Sequence, residues 1–96
     1  MDILFHVSTA AGGRLLHPLL LAANRAGCSS GAFFTHEGAL GLRDIDLMAA
    51  LSHIERAVVC EESWHKFCPD LHCPVEAGSQ TTNSALMGEA RKVVSL

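Results

Sequence analysis

Residues Ile54 to Pro74 read I-E-R-A-V-V-C-E-E-S-W-H-K-F-C-P-D-L-H-C-P. Arg56-Ala57-Val58-Val59 is a short apolar run of strand type, and it delivers Cys60 to the strand's carboxyl end. Glu61 to Phe67 reads as a short helix or turn that Pro69 stops, because a proline disfavours helical backbone in the residue before it. A strand that hands over directly to a helix is the repeating unit of a parallel sheet, so this stretch decides how the rest is read.

Working outward, Asp2 to Val7 (D-I-L-F-H-V) is a nearly continuous apolar run, the pattern of a strand buried on both faces. Gly12 and Gly13 read as a short loop. Leu15, Leu16, Leu19, Leu20, Ala22, Ala23 and Ala26 recur at helical spacing and predict a helix over about Arg14 to Ala26, with Gly27 as its stop. Pro18 then belongs to the first turn or kinks the helix, since its nitrogen has no proton to donate. Gly31 to Thr35 is a second strand, closed by the loop residues His36-Glu37-Gly38. Asp44 or Asp46 caps a helix through Leu47 to Leu51. Cys73 to Glu76 reads as a short fourth strand, Ser79 to Asn83 offers caps for a helix through Leu86, and Arg91 to Leu96 closes the chain as a strand. Strands alternating with helices predict one domain over residues 1–96, a small three-layer α/β/α sandwich with a mostly parallel sheet of about five strands. Sites in such folds lie beyond the carboxyl ends of the strands, where the Ser8–Gly13, His36–Leu42 and Cys60–Cys68 segments are expected to meet.

The chain has 96 residues, 49% of them hydrophobic, and a mean hydropathy of +0.26. That is apolar for so small a domain, and burial against other copies is the natural outlet. The net charge of -3, with 7 Lys and Arg spread thinly, lacks the clustered basic footprint that nucleic acid or an anionic membrane needs. The apolar stretch Leu15 to Ala23 contains His17 and Pro18 and falls short of the roughly 20 residues of a membrane span. Met1-Asp2 opens with no basic, signal-like region, and the expected compartment is the cytoplasm, where cysteines serve as free thiols, metal ligands or redox groups.

Three of the four cysteines and two of the six histidines fall between Cys60 and Cys73. Cys60 admits two readings, a thiolate stabilised by the N–H groups that open a helix, or a small buried hydrophobe. Glu61 and Glu62 oppose a thiolate, whereas His65 and Lys66 favour it. Cys60, His65, Cys68, His72 and Cys73 together hold enough ligands for zinc or an iron–sulfur cluster, though no C-x-x-C pair is present. Cys68 and Cys73 flank a proline-containing loop and offer either a disulfide or a thiol that resolves a modified Cys60. Trp64 reads as a lid over the site or a contact between subunits, and His6 as a core histidine.

The order of these features resembles the DsrE/DsrF-like family of small sulfur-handling proteins. The resemblance rests on the N-terminal strand and helix, on Gly31-Ala32-Phe33-Phe34-Thr35-His36-Glu37-Gly38, on Ala57-Val58-Val59-Cys60 at the position of the family's strand-end cysteine, and on the tail from Gly78 to Leu96. It implies a parallel three-layer fold, assembly into homotrimers or homohexamers, and a persulfide carried on Cys60 between donor and acceptor proteins with no cofactor. In that reading His65 tunes Cys60, and Cys68 or Cys73 is a second thiol. The other classes that the residues allow are a metal-binding or redox-sensing module built on Cys60 to Cys73 and an oligomeric interaction subunit without chemistry.

Overall fold

A computed structural model describing residues 1–96 shows β1 (Ile3–Val7) paired on both sides, with β2 (Ser30–Phe34) along one edge and β5 (Lys92–Ser95) along the other. β3 (Arg56–Cys60) and β4 (Glu76–Gly78) complete a five-stranded sheet in the order β4-β3-β2-β1-β5, every pair parallel. β2 lies at the centre, which is why all five of its residues are buried. The expected sandwich is thus the observed fold.

The strand order dictates the layers. From β1 to β4 the chain steps across the sheet in one direction, so right-handed crossovers place three connections on one face: α1 (Ala10–Arg25), the 3-10 segment His36–Arg43 with α2 (Ile45–Leu51), and α3 (Glu61–Phe67). The step from β4 to β5 runs back across the whole sheet, and its helix, α4 (Gln80–Glu89), falls on the other face. Strand alternation divides the core accordingly. Phe5, Val7, Ala32, Phe34 and Val59 pack with Leu16, Leu20, Leu47, Trp64 and Cys68 in a large cluster, whereas Leu4, Phe33, Val58 and Cys60 face Leu86 of α4 in a small one.

Local chemistry sets the ends of the helices, and here α1 departs from its expected start. Thr9 caps it by accepting the Gly12 N–H at 2.8 Å, so Gly12 and Gly13 lie inside the helix and not in a loop. They are contact points: a Cβ on Gly12 would stand 2.5 Å from the Leu96 carbonyl carbon, and one on Gly13 would stand 3.2 Å from Gly41 Cα. Pro18 consequently falls mid-helix, on the exposed side, and the Arg14 carbonyl lacks its intrahelical donor. Gly27, at φ +75°, supplies the left-handed turn that ends the helix. Asp44 caps α2, and Ser79 with Thr82 forms a reciprocal capping box on α4. β4 begins at Glu76, later than expected, because the Cys73-Pro74 segment cannot supply a full ladder. Arg56 grips Glu76 there through two bonds of 3.0 and 2.7 Å. No helix is long and apolar enough to cross a membrane.

Candidate functional site

Beyond the carboxyl ends of β2, β3 and β4 lies a cleft of about 720 Å³. Its walls come from Thr35 and His36 after β2, from Cys60 to Ser63 with Lys66 and Phe67 along α3, and from Gly78 to Thr81 where β4 gives way to α4. Ser8 to Gly13 is not among them. Thr9 is committed to capping α1, and the two glycines are packed against Leu96 and Gly41. The β4–α4 junction takes the place expected for that loop.

Cys60 forms the floor, 8% exposed, at the join of β3 and α3. Burial by itself pushes its thiol upward. The N–H and hydroxyl of Ser63, the N–H of Glu62 and the hydroxyl of Thr35 outweigh burial, so the pKa lies below the ordinary 9.0 and the thiolate is favoured. These hydroxyls are oriented by what they accept. Ser63 Oγ accepts the His36 N–H at 2.8 Å, and Thr35 Oγ1 accepts from Gln80 Nε2 at 3.4 Å, while the two oxygens lie 3.4 Å apart. With their lone pairs engaged, the network leaves hydroxyl hydrogen to donate to a negative sulfur. His36 holds φ +50°, a left-handed conformation that a residue with a Cβ adopts at a cost, and this turn aims its N–H at Ser63.

The other residues of the sequence-read cluster go elsewhere. Cys68 is wholly buried in the large cluster, on the opposite side of the sheet from Cys60, near the Arg43 guanidinium. Cys73 is half-buried and its Sγ donates to the Val75 carbonyl at 3.2 Å. His65 is 71% exposed in its side chain and stands 3.7 Å from Glu61 one turn back, outside the cleft. His72 is exposed. All four cysteines are free, and no three His, Cys, Asp or Glu side chains converge as a metal-ligand set. The groups that act on Cys60 are therefore Ser63, Glu62 and Thr35, where the sequence pointed to His65.

Trp64 is neither lid nor subunit contact; it is 4% exposed in the core, with its indole N–H donated to the Leu71 carbonyl at 3.2 Å. Lys66 stands over the Phe67 ring at 5.4 Å, at the cleft wall. His6 is half-buried and stacks on Phe33 with ring centroids 6.0 Å apart.

Thr35, Ser63 and Gln80 were missed in the sequence. Ser63 carried little signal, since C-E-E-S is not a capping-box sequence and Cys60 makes no side-chain cap bond. Gln80 carried none, since it meets Thr35 across 45 positions of chain. No protein-family model, no curated protein and no solved structure matches the chain, so the site stands on its own geometry.

Proposed function

We propose that the protein is a sulfur carrier that accepts and donates persulfide sulfur on Cys60. The observation that carries this reading is the set of Ser63, Glu62 and Thr35 donors that lowers the Cys60 pKa at the floor of an accessible polar cleft. A thiolate is the nucleophile of sulfur exchange. Cys60 attacks the terminal sulfur of a donor persulfide, a new S–S bond forms as the donor's S–S bond breaks, and the donor leaves as a thiolate. An acceptor thiolate removes the sulfur by the same step. No electrons are gained or lost overall, and no cofactor is required.

The cleft suits such exchange because a partner's reactive sulfur can enter it, whereas buried Cys68 offers no approach. Donor and acceptor in this reading are proteins with reactive cysteines, in a reducing compartment such as the cytoplasm. Exposed Leu15, Leu19 and Leu21 on α1, at 55%, 37% and 44%, favour association with further copies, and a homotrimer or homohexamer is the assembly that the family resemblance implies. This reading agrees with the DsrE/DsrF-like resemblance of the sequence.

The test is intact mass spectrometry before and after exposure to inorganic polysulfide. A gain of one sulfur atom that maps to Cys60, is lost on reduction and is absent from Cys60→Ala is the expected result. Undiminished loading of Cys60→Ala overturns the proposal.

A further inference from the structure

His36 is the one residue other than glycine that holds a positive φ, at +50°. Glycine would make the same turn without strain and give Ser63 the same N–H, so the backbone alone does not account for a histidine here. The residue is exposed and lines the cleft together with Cys60. The His6 pKa is lowered by burial and then by the charge of His36, and His6 stacks on Phe33 of the small cluster, so the His36 imidazole lies toward the side of the sheet that carries Cys60. Two short links tie the residue to the thiol. Its neighbour Thr35 sets a hydroxyl against Cys60, and its own N–H is held at 2.8 Å by Ser63, which sets another. His36 is the one imidazole of the cleft. The other ionisable groups there are Cys60 itself and Glu61, Glu62 and Lys66 of α3, and the wall from Gly78 to Thr81 has none. Carboxylates and ammonium groups keep their charge through the neutral range, where an imidazole both gives and takes a proton.

We propose that His36 is a catalytic residue that gives the donor's departing sulfur its proton and, in the reverse step, takes the proton of the acceptor thiol. The inference rests on the carrier reading above. As Cys60 takes the terminal sulfur, the donor's other sulfur departs with a negative charge, roughly 4 Å from Sγ, two S–S lengths away. Ser63, Glu62 and Thr35 all act at Sγ itself, so that set leaves the departing sulfur unserved. In loading, the Cys60 thiolate bonds to the terminal sulfur, the donor S–S bond breaks with its electron pair on the departing sulfur, and imidazolium protonates that sulfur and becomes imidazole. In unloading, imidazole takes the proton of the acceptor thiol, the acceptor thiolate removes the sulfur, and Cys60 is a thiolate again. No oxidant or reductant enters. The substrates that need this residue are alkyl persulfides, whose departing thiolates are basic.

The experiment measures the rate at which Cys60 takes sulfur from glutathione persulfide across the neutral pH range, by rapid quenching and mass. Wild type is compared with His36→Asn and His36→Gly, which both suit a left-handed turn and keep the N–H to Ser63. The donor's own titration affects all three proteins alike and cancels in the ratio of rates. Ellman's reagent, also followed at Cys60, is the control. Its departing aromatic thiolate is a weak base that needs no proton, so it reports whether the Cys60 thiol itself has changed.

The expected result is uptake from glutathione persulfide about a hundredfold slower in both variants where imidazole is protonated, as for loss of a general acid. The wild-type advantage shrinks as the pH rises and imidazolium is lost, while the rates with Ellman's reagent stay close to wild type. Equal uptake in wild type and variants, an advantage that does not fall with pH, or an equal slowing with Ellman's reagent overturns the role of His36 while the carrier reading stands. Failure of wild-type Cys60 to take up sulfur overturns both.

Discussion

Several donors set the state of the Cys60 sulfur, and the Ser63 hydroxyl is one of them. Ser63 Oγ accepts the His36 N–H and its hydroxyl helps to lower the Cys60 pKa, so Ser63→Ala removes one donor and leaves burial, which raises the pKa, less opposed. The expected outcome is a Cys60 alkylation midpoint shifted upward toward 9.0, measured by the pH dependence of the iodoacetamide rate, with a slower rate at neutral pH. Cys68 answers to different physics. It packs in the large cluster beside the Arg43 guanidinium, and Cys68→Ala should cost about 1–2 kcal/mol by emptying part of that space, read by urea denaturation, while Cys60 still takes up sulfur. At this scale the sequence was half legible. Cys60 was found because a strand ending in cysteine before a helix places the thiol at the carboxyl edge of the sheet, but proximity in sequence joined it to Cys68 and Cys73. Strand alternation and the turn of α3 send those thiols to other surroundings.

Glycine separates the elements that touch from those that do not. Gly88 in α4 faces open space, so Gly88→Ala should stabilise by about 1 kcal/mol through helix propensity alone. Gly12 in α1 meets the Leu96 backbone, so Gly12→Ala should destabilise by about 1–3 kcal/mol, because main chain has to move. Thermal denaturation of the two variants should therefore shift in opposite directions, although both substitutions are nominally helix-favouring. The same contrast explains where sequence reading stopped. Capping and periodicity located the four α-helices, and α3 fell on its expected residues Glu61 to Phe67. The start of α1 was misjudged because paired glycines look like a loop until the residues that crowd them are known. The 3-10 segment His36–Arg43 was read as a loop for a related reason: Gly38 and Gly41 are there to approach the Val7 backbone and Gly13.

Across the whole molecule, two carboxylates tie together parts distant in the chain. Asp2 is lowered chiefly by the Ser29 N–H, and Glu76 by Arg56. Their folded values lie below the ordinary 3.8 and 4.5, so the unfolded chain binds more protons in that range. Their stabilisation is fully present above the ordinary values and is lost as the pH falls through the lower folded ones. A melting temperature that declines below about pH 4.5, with a shallower decline in Glu76→Gln, is the expected profile. The strand order has a further consequence for how the protein is made. α4 and β5 follow in the chain everything that they cover, whereas α1, α2 and α3 are adjacent to the strands they close. As the polypeptide leaves the ribosome, one side of the sheet can pack progressively, while the side bearing Cys60 remains wet until α4 and β5 emerge. On stalled nascent chains ending before Gln80, Cys60 should therefore react with a thiol label that Cys68 resists, and it should react more slowly once α4 and β5 have packed.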